Sequence, residues 1–333
     1  MTRISFIGGR IGGTASPPPS KSHTHRAVFL ASMAEGRSIV DNCLLSSDTL
    51  ATMDACRAMG AKVELNGTTA TIDGGSLHAP DCIVDAMNSG TTMRILTGIC
   101  STFDRPTTIT GDESLLRRPM GPLLDALVSR GATVSSECGR PPVTVRGPGH
   151  GGRISIDGSV SSQFITSLLL SSPLLEDDTT VEVTGSMVSA PYLEVTTHMM
   201  RLYGAGVMRT GNSFRISGGD GYSPYDYSVP ADYSSAAFPL VAGALGGECE
   251  VTGMDPDDPQ GDKAILDILR SAGAEIVSNA GTVIASKNRV EGWSVAMGSV
   301  PDLFPITAVL LSVAEGDSRL YGAPQLRFKE SVR

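Results

Sequence analysis

The sequence lacks the features that mark a secreted, membrane-spanning or metal-binding chain. No apolar run reaches the roughly 18 residues that span a bilayer, and residues 1–15 carry no signal-peptide pattern. The six cysteines form no CxxC pair and the five histidines no HExxH motif. Lysine and arginine number 26 against 35 aspartates and glutamates, which argues against nucleic acid or an anionic membrane as partner. We therefore expect a cytoplasmic protein without metal or cofactor, whose cysteines are buried thiols.

What the sequence does contain is an internal repeat of about 70 residues. Four helical patterns, with apolar residues at i, i+3 and i+4, each end in a glycine that precedes a short strand pattern. These glycines lie 71, 73 and 69 residues apart: Gly60, Gly131, Gly204 and Gly273. The repeat predicts units of two helices with short strands, in a chain long enough for two domains.

A second set of helix starts follows the same period, each with a hydroxyl or acidic residue ahead of an apolar stretch. They open at Ser22, Thr91, Ser161, Ser234 and Asp302. Helix N-termini expose N–H groups and a partial positive charge, so they bind anions readily. Five such starts in one chain could converge on one site.

Residues near these starts suit the binding of small phosphorylated anions. Lys21 and Arg26 place positive charge beside the hydroxyl of Ser22. Gly90 permits close approach of backbone to a ligand, and Gly111–Pro119 carries two arginines ahead of a helix. Taken singly, each feature has a structural alternative, which is a helix cap, a turn or a surface ion pair.

Two acidic residues have similar alternatives. Asp302 stands at a helix start, where aspartate usually acts as a cap. Glu330 and Arg333 are three residues apart, the spacing of an ion pair on one helix face.

Taken together and in order, these motifs resemble those of the 5-enolpyruvylshikimate-3-phosphate synthase family over essentially the whole chain. The motifs are Ser20–Arg26, Asn88–Arg94, Gly111–Pro119, Ser161–Gln163, Ser189–Tyr192, Asp232–Ala236, Pro301–Asp302 and Lys329–Arg333. The resemblance implies an α/β (α+β) fold with two lobes of repeated βαβαββ units. One lobe would comprise residues 20–228, and the other residues 1–19 with 229–333.

The resemblance also implies an activity, the transfer of the enolpyruvyl group of phosphoenolpyruvate to the 5-hydroxyl of shikimate 3-phosphate. The residues expected to bind shikimate 3-phosphate are Lys21, Ser22, Arg26, Ser161, Ser162, Gln163, Ser189, Tyr192, Asp302, Gln325 and Lys329. Those expected on the phosphoenolpyruvate side are Lys21, Gly90, Arg118, Gln163 and Arg333. Asp302 would accept the hydroxyl proton, Glu330 would protonate the methylene carbon, and Lys21 would touch both substrates. The family's reaction needs no metal, and we expect a monomer.

Two other functions share this pattern. UDP-N-acetylglucosamine enolpyruvyl transferase has the same fold and donor, but normally carries Lys-Asn where this chain has Lys21-Ser22, and a reactive cysteine near the Arg118 region. A non-catalytic anion-binding protein could be built on the same repeat. Against that alternative, a candidate acid and a candidate base are both present.

The C-terminal end carries a further expectation. The glycine series extrapolates to about residue 344, beyond Arg333, and the family's Asp-His-Arg motif and a later lysine have no counterpart here. We expect that the last repeat unit is missing, and that this chain binds shikimate 3-phosphate at best weakly and turns over little or not at all. The alternative is that the native protein ends at Arg333.

Overall fold

Helices and short strands alternate along the computed structural model, which describes residues 9–328. The helices in that range are α1 (Lys21–Met33), α2 (Ser47–Ala58), α3 (Gly90–Cys100), α4 (Glu113–Leu116), α5 (Gly121–Ser129), α6 (Ser162–Ser171), α7 (Pro191–Leu202), α8 (Tyr233–Gly246), α9 (Ile265–Ser271) and α10 (Phe304–Ser312).

The strands in the same range are β1 (Ile11–Ala15), β2 (Arg37–Asp41), β3 (Lys62–Asn66), β4 (Thr69–Asp73), β5 (Val84–Asp85), β6 (Thr107–Thr110), β7 (Thr133–Glu137), β8 (Arg140–Arg146), β9 (Gly152–Asp157), β10 (Thr179–Thr184), β11 (Val207–Thr210), β12 (Ser213–Ile216), β13 (Tyr227–Ser228), β14 (Gly247–Thr252), β15 (Glu275–Asn279), β16 (Thr282–Ser286), β17 (Ser294–Ala296) and β18 (Arg319–Tyr321).

The described residues divide into two compact units. The large unit comprises residues 19–229 and 324–328, and the small unit comprises residues 9–18 and 230–323. Each unit has its own hydrophobic core. The chain therefore passes between units after Pro18, after Val229 and after Ala323. The first two crossings lie close to the lobe boundaries predicted from the sequence, whereas residues 324–328, expected in the second lobe, belong to the large unit. The arrangement of the lobes stays a prediction.

Four sheets share one strand order, in which the first two strands are parallel and the last two are antiparallel. The large unit has β13-β2-β4-β3, β5-β6-β8-β7 and β9-β10-β12-β11, and the small unit has β1-β14-β16-β15. A parallel pair, β17 with β18, follows in the small unit with α10 between its strands. These sheets with their helices are the expected βαβαββ units, so the predicted repeat and α/β fold class are confirmed.

The glycines that mark the repeat end the second helix of each unit. Gly60, Gly131, Gly204 and Gly273 have φ angles of 104°, 97°, 84° and 93°. This left-handed region is costly for residues with a β-carbon, so glycine is the residue that turns the chain from helix to strand there. The predicted helix ends are confirmed.

The first helices of the large unit's repeats are buried on all sides. In α1, α3 and α6 nearly every residue is buried, whereas α2 and α7 keep exposed faces. Arg94 contacts Gln163 near the start of α3 and α6, and Gly98 contacts Ser167 one turn later. Because both pairs have the same spacing of 69 residues, α3 and α6 run in the same direction.

The early turns of α1, α2 and α7 also lie near the starts of α3 and α6. Arg26 of α1 donates to Thr196 of α7 at 2.8 Å, and Thr196 lies 3.2 Å from Thr166 of α6. His25 of α1 and Thr52 of α2 are joined at 2.7 Å. Five helix N-termini of the large unit therefore lie at one end of its core.

Two of the six cysteines contradict the prediction of buried thiols. Burial raises the pKa of Cys56 and Cys100 to about 12, and both thiols are inert in the core. Cys82 and Cys138 are exposed. Cys138 occupies the turn of the β7–β8 hairpin with φ 51°, where no core is available to cover it. Across residues 9–328, no helix is long and apolar enough to cross a membrane.

Candidate active site

Arg26 is a buried cation near the start of α1. Its Nε donates to Thr196 Oγ1 at 2.8 Å, and Nη1 donates to the Ser22 carbonyl oxygen at 2.9 Å. A third bond runs from Nη2 to the Tyr192 carbonyl oxygen at 3.4 Å. Burial lowers the pKa of Arg26 to about 10, so the guanidinium stays charged at neutral pH. These acceptors are neutral, so an anion beside Arg26 would be favourable.

Lys21, the first residue of α1, is half-exposed and forms an ion pair with Asp48 at 3.1 Å. Asp48 lies in the first turn of α2, a helix that begins with a capping box at Ser46 and Thr49. Ion pairs this exposed contribute about 0–1 kcal/mol. The Lys21 ammonium can therefore exchange Asp48 for another anion at little cost.

Arg117 and Arg118, adjacent in sequence, have opposite environments. Arg117 is exposed and pairs with Glu113 at 3.3 Å, which is the surface ion pair considered from the sequence. Arg118 is 6% exposed and donates from Nη2 to Asn88 Oδ1 at 2.7 Å. Asn88 in turn donates to Asp112, the cap of α4. Of the two arginines in this motif, Arg118 is therefore the buried one.

Gly90, the first residue of α3, lies against two guanidinium groups. A β-carbon at Gly90 would be 2.6 Å from Arg94 Nη1, 2.8 Å from Arg118 Nη1 and 3.5 Å from Gln163 Oε1. Arg94 Nη1 donates to Gln163 Oε1 at 2.5 Å, and Gln163 Nε2 donates to Thr91 at 2.9 Å. The structure thus brings together Gly90, Arg118 and Gln163, three residues predicted on the phosphoenolpyruvate side.

The remaining predicted residues of the large unit lie at two helix starts. Ser161 caps α6 by accepting from the Gln163 N–H at 3.3 Å, and Ser162 is the buried first residue of that helix. Ser189 precedes α7 with φ 53°, and its carbonyl oxygen accepts from the Tyr192 N–H at 3.1 Å. A serine held in the left-handed region is strained, which is common at functional sites.

Two buried histidines follow Lys21 on α1. Burial, assisted by nearby positive charge, lowers the pKa of His23 and of His25 to about 3; the charge is that of Arg26 for His23, and those of Lys21 and Arg26 for His25. Both imidazoles are therefore neutral at physiological pH. The positive charge at the start of α1 comes from Lys21 and Arg26.

The other predicted residues lie elsewhere. Asp302 belongs to the small unit, in the 3-10 turn Pro301–Leu303 before α10, and the N-cap of α10 is Leu303. Asp302 is therefore not the cap of that helix. Gln325 is buried in the 3-10 turn Pro324–Phe328. The predicted residues Lys329, Glu330 and Arg333 lie outside the described residues.

Sequence reasoning missed three contributors to this site. Asp48 pairs with Lys21, Arg94 lies over the Phe164 ring 5.3 Å from its centroid while reaching Gln163, and Thr196 holds Arg26. Only Arg94 carried a signal, since it stands in the Asn88–Arg94 motif. In the described part of the chain, no group of three or more histidine, cysteine, aspartate or glutamate side chains could hold a metal ion.

Two solved structures that share this fold are both of EPSP synthase. The 2.37 Å structure of EPSP synthase from Acinetobacter baumannii matches with a TM-score of 0.79 and 30% identity, covering 96% of this chain and 75% of that one. Another structure of EPSP synthase from Acinetobacter baumannii matches with a TM-score of 0.77 and 29% identity. It covers 93% of this chain and 74% of its own. The class is therefore that of EPSP synthases.

Sequence comparison gives the same family. The model of EPSP synthase (3-phosphoshikimate 1-carboxyvinyltransferase) matches residues 7–333. A 3-phosphoshikimate 1-carboxyvinyltransferase of Methanocorpusculum labreanum is 48% identical, covering 97% of this chain and 78% of the relative. One of Aeropyrum pernix is 42% identical, covering 99% and 77%. The chain belongs to the EPSP synthase family.

Proposed function

We propose that this chain transfers the enolpyruvyl group of phosphoenolpyruvate to the 5-hydroxyl of shikimate 3-phosphate, giving 5-enolpyruvylshikimate 3-phosphate and phosphate. This is a step of the shikimate pathway, which leads to chorismate and aromatic amino acids. The single observation that carries the proposal is the convergence of Arg94, Arg118 and Gln163 on Gly90, between the starts of α3 and α6. Two guanidinium groups beside a helix N-terminus suit a phosphorylated carboxylic acid.

In this proposal the two substrates occupy neighbouring helix starts. Gly90, Arg118 and Gln163 bind phosphoenolpyruvate, together with Arg333. Ser161, Ser162, Ser189 and Lys329 bind the 3-phosphate, beside Tyr192 and Gln325. Ser22 and Arg26 hold the shikimate carboxylate. Backbone N–H groups and hydroxyls fixed by the helices bind the phosphate without reorganising, which favours binding two multiply charged anions together.

Lys21 bridges the two substrates in the proposed mechanism. Its partner Asp48 is 3.1 Å away, and the Lys21 side chain is half-exposed, so the ammonium can exchange this carboxylate for substrate anions. The side chain of Gln163, on α6, bonds to Arg94 and Thr91 of α3 and would contact both ligands.

The chemistry needs an acid and a base on opposite sides of the new bond. Glu330 protonates the methylene carbon of phosphoenolpyruvate, which makes the adjacent carbon electrophilic. The 5-hydroxyl attacks that carbon as Asp302 takes its proton. Phosphate then leaves as Glu330 takes back a methyl proton, which re-forms the carbon–carbon double bond and gives the enol ether product. None of these steps calls for a metal or another cofactor.

We further propose a cytoplasmic monomer. The substrates are small soluble metabolites, and the proposed residues all come from one chain.

The test is product formation with both substrates. Mass spectrometry of a long incubation detects even slow turnover, and the expected product is 5-enolpyruvylshikimate 3-phosphate in equal amount to released phosphate. The substitution Asp302→Asn should abolish product while leaving the dissociation constant of shikimate 3-phosphate within about threefold. Product from UDP-N-acetylglucosamine instead of shikimate 3-phosphate would contradict the proposal. Unchanged turnover in Asp302→Asn would contradict the role of that residue.

A further inference from the structure

A chain of hydrogen bonds connects α1 to the start of α3 through the core of the large unit. His25 Nδ1 lies 2.7 Å from Thr52 Oγ1, and Thr52 Oγ1 lies 2.7 Å from Thr92 Oγ1. Thr92 Oγ1 donates to Ser89 Oγ at 2.6 Å. The four side chains belong to α1, α2, α3 and the N-cap of α3, and all are buried.

The direction of this chain follows from its last bond. Because the Thr92 hydroxyl donates to Ser89, it accepts from Thr52. The Thr52 hydroxyl then gives its hydrogen to Thr92 at 2.7 Å, in preference to the Asp48 carbonyl oxygen at 3.4 Å, so it accepts from His25. His25 is therefore the Nδ1–H tautomer. Burial and, to a smaller extent, the charges of Lys21 and Arg26 together lower the pKa of His25 to about 3, so the ring is neutral and has a single N–H to donate.

The last residue of this hydrogen-bond series is Ser89, the N-cap of α3. Ser89 Oγ also accepts from the Thr92 N–H at 3.1 Å, which is the N-cap bond of the helix. The next residue is Gly90, whose α-carbon lies against Arg94 and Arg118. A shift of the cap by a fraction of an ångström would move Gly90 relative to both guanidinium groups. Such small displacements are costly at a site that positions a reactant.

We propose that His25 is a positioning residue for phosphoenolpyruvate, acting on the start of α3 through the hydroxyls of Thr52, Thr92 and Ser89. The inference rests on the proposed function, because it takes Gly90 and Arg118 to be the phosphoenolpyruvate side. The 3-phosphate side, at Ser161 and Ser162, lies at another helix start, and neither serine takes part in the hydrogen bonds from His25 to Ser89. The proposal therefore predicts a selective effect on one of the two ligands.

The experiment compares dissociation constants of both ligands by NMR titration, which also measures weak binding. Phosphoenolpyruvate is titrated in the presence of shikimate 3-phosphate, and shikimate 3-phosphate is titrated alone. The variants His25→Leu, Thr52→Val and Thr92→Val each break one link, and the valines keep the threonine shape. We expect phosphoenolpyruvate affinity to fall about tenfold or more, and shikimate 3-phosphate affinity to change by less than about threefold.

Two further variants separate positioning from general packing. His25→Asn keeps a side-chain N–H near the position of Nδ1 and should restore phosphoenolpyruvate affinity to within about threefold of the unsubstituted protein. Thr97→Val is the matched control, since Thr97 is a buried threonine of α3 that takes no part in the hydrogen bonds from His25 to Ser89. Its hydroxyl donates to the Met93 carbonyl oxygen at 2.7 Å. This variant should leave both affinities unchanged. The ¹⁵N shifts of His25 should report the Nδ1–H tautomer.

The outcomes that overturn the inference are distinct. Unchanged phosphoenolpyruvate affinity in His25→Leu and in both valine variants would contradict it. Equal weakening of both ligands, or an Nε2–H tautomer, would also contradict it, as would failure of His25→Asn to restore affinity. If the unsubstituted protein binds shikimate 3-phosphate but not phosphoenolpyruvate, or binds neither, the proposed function itself fails, and this inference fails with it.

Discussion

The helices α6 and α8 open corresponding repeats in the two units, and their N-termini carry opposite chemistry. The start of α6 is capped by a hydroxyl, that of Ser161, with Ser162 beside it. The start of α8 is capped by a carboxylate, since Asp232 Oδ2 accepts from the N–H and the hydroxyl of Ser235 at 2.9 and 2.7 Å. The hydroxyl of Ser234, also in the first turn of α8, donates to Asp262.

The two helix starts differ in which group accepts hydrogen bonds from the free N–H groups of the first turn. At α8 the protein supplies its own acceptors, including Gln260 Oε1, which takes the Tyr233 N–H at 3.0 Å. At α6 a neutral cap leaves the positive end of the helix dipole without a protein carboxylate in the cap. The repeat therefore provides similar backbone donors in both units, and the capping residue decides whether an external anion can use them.

The largest expected effect comes from giving α6 the cap of α8. Ser161→Asp keeps a good N-cap but places a carboxylate where the 3-phosphate is proposed to bind. Loss of a hydrogen bond to a charged group and the added repulsion should weaken shikimate 3-phosphate binding by about 1000-fold, roughly 4 kcal/mol. Titration calorimetry or NMR measures this change.

Ser161→Asn is the matched control, because asparagine caps equally well without charge. It should lose far less affinity, about tenfold at most, while both variants unfold within about 1 kcal/mol of the unsubstituted protein. Equal affinities of the two variants would mean that cap charge does not separate the two helix starts.

Lowering the pH should change the free energy of unfolding in opposite directions through buried titratable groups of the two units. His23 and His25 have pKa values of about 3 in the fold, below the usual 6.5. Between these values the unfolded chain binds more protons, so the free energy of unfolding falls as pH falls, by about 1.4 kcal/mol per pH unit for each histidine. Burial raises the pKa of Asp258, in the small unit, to about 6, so its protonation opposes this trend between about pH 6 and 4.

Urea unfolding at pH 7, 6 and 5 measures this slope. His25→Asn should make the decline shallower by about one proton, and Asp258→Asn should make it steeper. A slope that neither variant alters would show that these groups are not buried as described.

A smaller effect is expected at the start of α3. Gly90→Ala places a methyl group 2.6 Å from Arg94 Nη1 and 2.8 Å from Arg118 Nη1. These are ends of flexible side chains, so stability should change little, but the guanidinium groups must move. Phosphoenolpyruvate affinity should fall by about tenfold, with shikimate 3-phosphate affinity within about threefold. An alanine variant with normal affinity for both would remove Gly90 from the site.

The smallest effect is expected at α8. Ser234→Ala removes the hydroxyl that donates to Asp262 and should cost about 1 kcal/mol of stability in denaturant unfolding. Affinity for shikimate 3-phosphate should not change. A loss of affinity in this variant would show that the α8 start also takes part in anion binding.

Local signals explain what the sequence predicted well. Helix ends at Gly60 and Gly131 and a helix start at Ser161 depend on backbone conformation and capping within a few residues, so period and composition located them. The order of the motifs then identified the family and fold class.

The pairings in the site could not be predicted in that way. Lys21 meets Asp48, 27 residues away, and Arg94 meets Gln163, 69 residues away, because helices pack in three dimensions. No local pattern separates Arg117, on the surface, from Arg118, which is buried beside Gly90. The tautomer of His25 likewise follows only from the chain of hydroxyls that the packing assembles.

We propose that the hydroxyl-capped helix starts of the large unit, and not the carboxylate-capped start of α8, bind the substrate phosphate. A crystal structure of the protein with shikimate 3-phosphate tests it most directly. The 3-phosphate oxygens should lie within about 3.2 Å of the hydroxyls of Ser161 and Ser162. A phosphate bound instead at the first turn of α8, beside Tyr233, would contradict it.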